Sequence, residues 1–414
     1  MKGLNMKTNI DSQSLNRRQF ITGTSMAAAG LTLLQPSFAA AADAPDKLKL
    51  GLIGCGGRGQ WIARLFTESG KFNFVAGADY FAEKVDQFGE KFGVPAAKRY
   101  TGLSGYKQLL EQPLDAVVIE SPPYFHPEHA AAAVAAGKHV YLAKPIAVDV
   151  PGCHTVEASA KQATGKKLCF LVDFQTRAHP SYQEAVKRVH SGQIGKLISA
   201  EAVYVTGPTW NHMDRALREK PNDPEMKLKA WGIDRVLSGD VITEQNIHAL
   251  DVATWILNSA PLRAYGTGGQ KRGFIGTCWD HFAVTFDFPE NIPLSFHSKQ
   301  VGHGIDDIQC RAYGLDGTAD THYSGEVWVR SRDDLFNGGK LGNLYQEGVV
   351  NNIATFHNSI TTGDYSNPTV APSVRSNLTT ILGRTAAYRH GVATWDEMIR
   401  ANEKWEADLR GLKA

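Results

Sequence analysis

Apolar and polar positions after residue 46 follow a pattern that predicts strands and helices in alternation. Residues 47–53 alternate and then become apolar, as a strand entering a buried sheet does, and 60–69 carries apolar side chains at helical spacing. The remaining segments of this kind are strands over 72–79, 115–121, 139–142 and 168–172 and helices over 127–136 and 156–163. Such an order predicts an α/β domain with a parallel sheet covered on both faces.

From about residue 174 the pattern changes to strands and turn clusters with fewer intervening helices. Strands are predicted over 200–206, 281–288 and 292–299, as in an antiparallel sheet. Helices are predicted over 345–360 and 373–390, and we expect them to pack back on the first domain. The sequence therefore divides into a domain at 43–173 and a second, α+β domain at 174–414.

A glycine-rich turn joins the first predicted strand to the first predicted helix. It reads Gly54-Cys55-Gly56-Gly57-Arg58-Gly59, a G-x-G-x-x-G run. Glycines let the backbone turn tightly and approach a pyrophosphate, while the helix start offers unpaired N–H groups and the positive end of its dipole. This context predicts a Rossmann dinucleotide-binding domain. The candidate cofactor-binding residues of the turn are Gly54, Gly56, Gly57, Arg58 and Gly59.

The second predicted strand ends in an acidic residue that bears on the choice of cofactor. Asp79 lies 20 residues beyond Gly59, where a ribose-binding carboxylate is expected. A carboxylate accepts hydrogen bonds from a 2′-hydroxyl but repels a 2′-phosphate. Asp79 therefore favours NAD, with NADP as the less favoured alternative.

Length and composition narrow the class of protein further. The chain has 414 residues, enough for two domains, and is 43% apolar and 21% charged, as in ordinary globular proteins. Its net charge is +2, and residues 1–42 contribute +3, so the remainder is nearly neutral and nucleic acid is not an expected partner. The five cysteines are widely spaced, and His126 and His129 do not form a metal-binding motif, so we predict no metal site.

The first 42 residues have the features of an export signal. Paired arginines, Arg17-Arg18, precede a weakly apolar run at 21–34, and small residues follow at 37–42. The run of 14 residues is shorter than the roughly 20 that span a bilayer. This segment resembles a twin-arginine (Tat) signal. That resemblance implies recognition by the Tat machinery, export of a folded protein with its cofactor inside, and a periplasmic or secreted product without a membrane span.

Several separated motifs share a resemblance to one family. They are Ser121-Pro122-Pro123-Tyr124-Phe125-His126, Ala136-Gly137-Lys138-His139-Val140, Lys144-Pro145 and the segments 175–180 and 239–255. Together they resemble the glucose–fructose oxidoreductase/inositol dehydrogenase (Gfo/Idh/MocA) superfamily. The resemblance implies an open, mostly antiparallel sheet in the second domain and often pairing into dimers or tetramers. It also implies cofactor contacts from Ser121, Pro122, His126 and Lys144.

The same resemblance implies a catalytic group formed by Lys144, Glu244 and His248. The family signature is Glu-Lys-Pro, but Ala143 replaces the glutamate here, and Glu244 stands where the family usually has an aspartate. Glu244, His248, Asp251 and Trp255 recur at spacings that predict one stripe on one helix. On the residues alone, a solvated or capping stripe is an equal alternative. Arg177 and Trp231 are candidate residues of the substrate wall.

These observations predict an exported NAD(P)-dependent oxidoreductase that acts on a secondary hydroxyl of a sugar or glycoside. Because free NAD is not expected outside the cytoplasmic membrane, we expect a tightly bound cofactor that is regenerated in place. A first alternative is a glycosidase that oxidises, eliminates and reduces with the same NAD, although those relatives typically lack the lysine of Lys-Pro. A second alternative is a non-catalytic sugar-binding module, since a fold alone does not fix a function.

Overall fold

The computed structural model describes residues 47–414. The predicted export signal at 1–42 lies outside these described residues. Within 47–414, each helix is too short or too polar to cross a membrane. The described chain is organised around two sheets, one in each predicted domain.

The first domain alternates strands and helices as predicted. In chain order its elements are β1 (Leu48–Ile53), α1 (Gly57–Glu68), β2 (Phe72–Asp79), α2 (Ala82–Phe92), β3 (Arg99–Thr101), α3 (Gly105–Leu110), β4 (Ala116–Ile119), α4 (His126–Ala135), β5 (His139–Ala143), α5 (Val150–Gly165) and β6 (Phe170–Asp173). The strands are all parallel and lie in the order β3-β2-β1-β4-β5-β6. This is the doubly wound order of a Rossmann domain, so the predicted fold class is confirmed.

Three elements of this domain, α2, α3 and β3, were not predicted, and one predicted helix begins earlier than expected. The edge strand β3 has three residues, too few to show a pattern of alternation. Helix α5 begins at Val150, six residues before the predicted start. The Asp149 side chain caps it by accepting a hydrogen bond from the Gly152 N–H at 2.8 Å, and Pro151 fits the first turn.

Helices cover both faces of the first sheet. On β4, Val118 points to one face, where it meets the core around α1, while Val117 and Ile119 point to the other, towards α4 and α5. All three side chains are completely buried. Such two-sided burial explains why these strands are continuous apolar runs in the sequence.

The second domain is built on a larger sheet. Its elements are α6 (Pro180–His190), β7 (Leu197–Val205), α7 (Asn211–Glu219), α8 (Pro224–Lys229), α9 (Arg235–Ser238), α10 (Asp240–Glu244), α11 (Ile247–Leu257), β8 (Arg263–Gly269), β9 (His281–Phe288), β10 (Ile292–Lys299), β11 (Asp307–Gly314), β12 (Gly317–His322), β13 (Glu326–Ser331), β14 (Leu335–Lys340), α12 (Leu344–Thr362), α13 (Val370–Arg389), β15 (Val392–Thr394) and α14 (Trp395–Ala401). Short 3₁₀ turns occur at Ala96–Lys98, Pro123–Phe125, Trp231–Ile233 and Pro289–Asn291.

Within the described residues the second sheet has nine strands in the order β14-β13-β12-β11-β7-β10-β9-β8-β15. Neighbouring strands are antiparallel except for β7 and β10, which are parallel. Buried and exposed positions alternate along β9 and β10, as in a sheet with one covered and one open face. The predicted open, mostly antiparallel sheet is confirmed.

Helix α12 returns from the second domain to the first. Phe356 on α12 is completely buried and its ring lies 6.3 Å from that of Phe72 and 6.5 Å from that of Phe66. Burial of such a ring contributes about 1.5–3 kcal/mol. These contacts fix the second domain against the first, and so fix the side chains that meet at the carboxyl edge of the first sheet.

Candidate active site

A cleft of about 470 Å³ lies at the carboxyl ends of the strands of the first sheet. This is the position where open α/β sheets bind their ligands. Six of the predicted cofactor-binding residues line it, namely Gly54, Gly56, Gly57, Asp79, Ser121 and Pro122. The structure therefore brings these residues from three separate segments into one cavity.

The glycine turn has the shape that a dinucleotide requires. A Cβ atom on Gly59 would lie 1.9 Å from the carbonyl oxygen of Gly54, so only glycine lets helix α1 approach the turn this closely. Gly54 itself has φ of 95°, in the left-handed region. Gly56 and Gly57 instead have open space where their Cβ atoms would be, and they face the cleft at the start of α1. These residues fit a pyrophosphate held against the helix N-terminus.

Asp79 lies at the end of β2 on the wall of the same cleft. Its carboxylate is oriented by two main-chain donors, the N–H of Cys55 at 2.7 Å and the N–H of Phe81 at 2.9 Å. Burial raises the pKa of Asp79, and these two hydrogen bonds oppose that rise. The side chain is thus held where the sequence predicts a ribose-binding carboxylate.

Arg58 occupies the predicted turn but does not face the cleft with the glycines. Its guanidinium extends along the sheet edge to Glu120 at 2.9 Å and Asp173 at 2.7 Å, and it donates to the Tyr345 hydroxyl. Burial by itself would lower the pKa of Arg58, but the charges of Glu120, Tyr345 and Asp173 together raise it. Arg58 is therefore a fixed cation that bridges the ends of β4 and β6.

Glu120 and Asp173 are functional candidates that the sequence analysis missed. Each directly follows or ends an apolar strand, a position at which a charged residue is a recognisable signal. Burial raises the pKa of Glu120 to about 7, although Arg58 lowers it. Ala143 pairs in register with Asp173, and Ile119, which precedes Glu120, lies beside Leu142. The strands on both sides of Ala143 thus end in a carboxylate, close to the position where the family resemblance leads us to expect a glutamate.

Lys144 and Glu244 meet as the family resemblance implies, although they are 100 residues apart in the chain. The ammonium of Lys144 donates to the main-chain carbonyl of Glu244 at 2.7 Å and lies 3.4 Å from its Oε1. Burial lowers the pKa of Lys144, with Arg58 adding to this effect and Glu244 opposing it. Oε2 of Glu244 is buried and has no hydrogen-bond partner among the described residues.

His248 is the third member of this cluster. Burial, together with the charges of Lys144 and Arg58, holds the pKa of His248 well below 6.5, so its ring is neutral. Its Nδ1 is buried and has no partner within residues 47–414, and the Tyr323 ring packs against it at 5.3 Å. Buried polar atoms normally have partners, so the free atoms of His248 and Glu244 mark a place for a polar ligand.

The prediction of one continuous helix for the Glu244 stripe is wrong. Glu244 ends α10, and α11 begins only at Ile247. Asp251 and Trp255 also turn away from the cluster. Asp251 is completely buried and paired with Arg177 at 2.9 Å, and the Arg177 guanidinium lies 5.0 Å from the Trp255 ring. The stripe therefore divides into a part that meets Lys144, with Glu244 and His248, and a part held by Arg177, with Asp251 and Trp255.

The two candidate residues of the substrate wall have different positions. Arg177 is held by both oxygens of Asp251, so the structure shows it fixing α11 in place. Trp231 lines the cofactor cleft, where its ring lies 6.1 Å from that of Trp210. Neither residue lies in the cluster of Lys144, Glu244 and His248.

His126 lies behind the cleft wall rather than on it. Its Nδ1 is 2.7 Å from the carbonyl oxygen of Pro145 and its Nε2 is 2.7 Å from that of Ser121. Burial lowers the pKa of His126 to about 4, so the neutral ring donates to one of these two oxygens. His126 connects the loop after β4 to the loop after β5, and thereby positions Ser121 and Lys144.

Two family models match this chain. A model described as an oxidoreductase family with an NAD-binding Rossmann fold matches residues 48–171. A model of the GFO/IDH/MocA C-terminal domain matches residues 182–320. The first match ends at residue 171, inside β6, the last strand of the parallel sheet.

Curated relatives with related names match at modest identity. Inositol 2-dehydrogenase 3 of Saccharopolyspora erythraea is 31% identical over 285 residues, which cover 66% of this chain and 72% of that protein. A glycosyl hydrolase family 109 protein of Shewanella pealeana is 26% identical over 218 residues, 47% of each chain. The chain spans about half the length of several such relatives, at 47%, 58% and 52%.

Solved structures with the same fold align with this chain over nearly the whole of their own length. A levoglucosan dehydrogenase in complex with NADH and levoglucosan superposes with a TM-score of 0.68 and 19% identity, covering 84% of this chain and 99% of that one. At this identity the likeness concerns the fold. It agrees with the two-sheet architecture described above.

Proposed function

This chain belongs to the Gfo/Idh/MocA oxidoreductase family, and we propose that it is an exported, NAD-dependent enzyme that oxidises a secondary hydroxyl of a sugar or glycoside. The observation that carries the proposal is the cluster of Lys144, Glu244 and His248, in which the charge of Lys144 acts on Glu120 of the cleft wall. A protein that only binds sugars has no need for a buried ammonium next to a neutral imidazole.

The side chains of the cluster divide the reaction between them. His248, whose ring is neutral, takes the proton of the substrate hydroxyl as general base. The ammonium of Lys144 donates to the substrate oxygen and stabilises its developing negative charge. Glu244 uses its free Oε2 to accept a hydrogen bond from a neighbouring hydroxyl. Bound NAD supplies the chemistry of hydride acceptance.

The charges near His248 favour an uncharged substrate. Lys144 and Arg58 are the cations whose charges act on His248, and both are already paired, Lys144 with Glu244 and Arg58 with Glu120 and Asp173. A phosphate or carboxylate on the substrate would be repelled by these carboxylates, because both cations that act on His248 are already paired. This supports a neutral sugar, polyol or glycoside. The relatives named for inositol and levoglucosan support the same class.

Export would separate the enzyme from the cytoplasmic supply of NAD, so we propose that the cofactor stays bound and is regenerated in place. One sugar is then oxidised and a second carbonyl compound is reduced. The direct test is to denature the purified protein and identify the released nucleotide by mass spectrometry. Near-stoichiometric NAD or NADH is the expected result, and a protein that neither carries nor binds NAD would contradict the proposal and favour the sugar-binding alternative.

A second candidate is redox-neutral glycoside cleavage with the same retained NAD. The match to a glycosyl hydrolase family 109 protein over about half of each chain favours it, whereas Lys144 favours net oxidation. The two are separated by incubating the holoenzyme, without added NAD, with free sugars plus a carbonyl acceptor and, in parallel, with aryl glycosides. Keto-sugar formation supports the oxidoreductase. Release of the aryl group without keto-sugar supports the glycosidase.

A further inference from the structure

The cofactor cleft is closed on one side by a part of the second domain. Helices α7 and α8, together with Trp231, supply one wall of the cleft, opposite the glycine turn and Asp79. The residues on this wall are His212, Met213, Ala216, Leu228, Lys229 and Trp231. We call α7 and α8 the lid helices. Because Asp79 marks the position of the ribose, the space between the lid helices and the residues after β2 corresponds to the adenosine half of the cofactor.

Tyr80, the residue next to Asp79, joins the lid helices to the first domain. Its hydroxyl donates to Oε1 of Glu225 on α8 at 3.0 Å and accepts the main-chain N–H of Lys413 at 3.0 Å. The ammonium of Lys413 in turn lies 3.4 Å from the same carboxylate oxygen of Glu225. One hydroxyl therefore connects the end of β2, a lid helix and residues more than 300 positions later in the chain.

A second contact, a few residues away, joins α8 to the residues that follow β2. The ammonium of Lys229, at the end of α8, lies 3.1 Å from Oε1 of Glu83 and 4.8 Å from the centre of the Phe81 ring. Such exposed pairs are individually weak. They act here beside the buried Leu228 and Phe125, which fix the lid helices against the first domain.

Residues 402–414, which we call the strap, cross the same region. The strap is largely irregular, and its main chain is held by side chains of the first domain: Trp405 N–H donates to Asp149 at 2.8 Å and Ala407 N–H to the Tyr124 hydroxyl at 3.3 Å. Its last turn accepts the Leu103 N–H through the Lys413 carbonyl at 3.1 Å. Leu103 also lines the cofactor cleft, so the strap supports the cleft wall from outside.

We propose that the lid helices and the strap form a clasp, joined at the Tyr80 hydroxyl, that retains the adenosine half of NAD. The inference rests on the proposed function, because it explains how an exported enzyme would keep its cofactor. Exit of the adenosine requires the lid helices to move away from Tyr80 and Phe81. The hydrogen bonds of Tyr80, Glu225 and Lys413 oppose that movement and are lost together when the clasp opens.

The test is the rate at which bound NAD exchanges with isotopically labelled NAD, measured by mass spectrometry after rapid desalting. The variant Tyr80→Phe keeps the ring but removes both hydrogen bonds of the hydroxyl, and we expect exchange to become about tenfold faster. Combination with Lys229→Met should accelerate it further. The matched control is Tyr313→Phe, which removes a similar hydrogen bond from Tyr313 to Glu201 at 3.1 Å on the second sheet. Its exchange rate should equal that of the wild type.

A second measurement uses only the wild-type protein, so it does not depend on whether a variant folds. If the clasp retains NAD, then NAD must stabilise the clasp by the same free energy. Hydrogen exchange of the wild-type protein should therefore slow at 211–229 and 402–414 when NAD is bound. Unchanged exchange there, or a Tyr80→Phe rate within twofold of the wild type, would overturn the clasp while leaving cofactor retention intact. A wild-type protein that loses NAD during desalting would overturn both.

Discussion

The cofactor cleft and the cluster of Lys144, Glu244 and His248 lie side by side at one sheet edge, but the residues of the glycine turn and those of the cluster are separated by very different distances along the chain. Gly54, Gly56, Gly57 and Asp79 fall within 26 positions and are set by a strand, a turn and a helix that follow each other directly. The cluster instead brings Lys144 to Glu244, 100 positions later. Arg58, whose charge acts on His248, donates to Tyr345, 287 positions later. The cluster exists only because the second domain docks on the first.

This difference predicts how the two regions respond to change. Substitutions at Gly54 and Gly59 should change the backbone shape, because main-chain atoms lie against these positions. Substitutions at Gly56 and Gly57 should change nucleotide binding, because these positions face open space in the cleft. A residue of the cluster acts on proton transfer and charge, since its neighbours are ionisable side chains. Binding and turnover should therefore be separable by mutation.

The largest expected effect is on turnover alone. In Lys144→Met the side chain keeps its length but loses the charge that stabilises the substrate oxygen, and we expect kcat to fall by about 10²–10³-fold or more. The amount of NAD found in the purified protein should stay the same. Both are measured on one preparation, with the exposed Lys196→Met as control. A variant with wild-type kcat would remove Lys144 from the mechanism.

Two glycines of the same turn give the next contrast. Gly59→Ala forces a Cβ against the Gly54 carbonyl, so we expect a loss of about 1–3 kcal/mol in the free energy of unfolding. Gly56→Ala has open space and an ordinary φ of −69°, so its stability should not change. Its Cβ instead enters the cleft and should weaken NAD binding by about tenfold. Urea unfolding and NAD titration measure the two effects, and equal stability of both variants would contradict the prediction.

Asp79 provides a smaller effect that is confined to cofactor choice. Asp79→Gly removes the carboxylate that repels a 2′-phosphate, so the preference for NAD over NADP should fall by about tenfold. The ratio of kcat/KM values with the two cofactors measures it, using apoprotein prepared by unfolding and refolding. The opposite outcome, an unchanged ratio, would mean that another group selects the cofactor.

The smallest expected effect concerns the dependence of kcat on pH, which we expect to be flat near neutral pH. A general base acts only when deprotonated, and the pKa of His248 is held well below 6.5 by burial and two neighbouring cations. Activity should therefore stay constant as the pH falls from about 8 to 6.5, and decline only below that. The measurement is kcat against pH at saturating substrate. A fall in kcat already above pH 7 that disappears in Glu120→Gln would assign the titration to Glu120, whose pKa is about 7.

The sequence predicted much of the site because short motifs carry it. The glycine turn, Asp79 and the alternation of strands and helices follow from local patterns. The structure places Lys144 against Glu244, and the charge of Lys144 acts on His248. The resemblance did not show that the guanidinium of Arg177 is paired with Asp251, nor that the ring nitrogens of His126 contact two loops. Those pairings depend on which side chains meet when each domain folds, and spacing along a helix does not contain that information.

The sequence by itself determined the parallel sheet, its glycine turn and the carboxylate at its edge, because these depend on backbone geometry between neighbouring elements. Only the tertiary structure decided where the charges lie. It placed Glu120 and Asp173 around Arg58 beside Ala143, broke the helix between Glu244 and His248, and brought Glu225 and Lys413 to Tyr80. Electrostatic and hydrogen-bond partners are set by distance in space. That distance is fixed only when the strands of the first domain pack side by side, for Arg58 and its carboxylates, and when the two domains pack together, for Tyr80, Glu225 and Lys413.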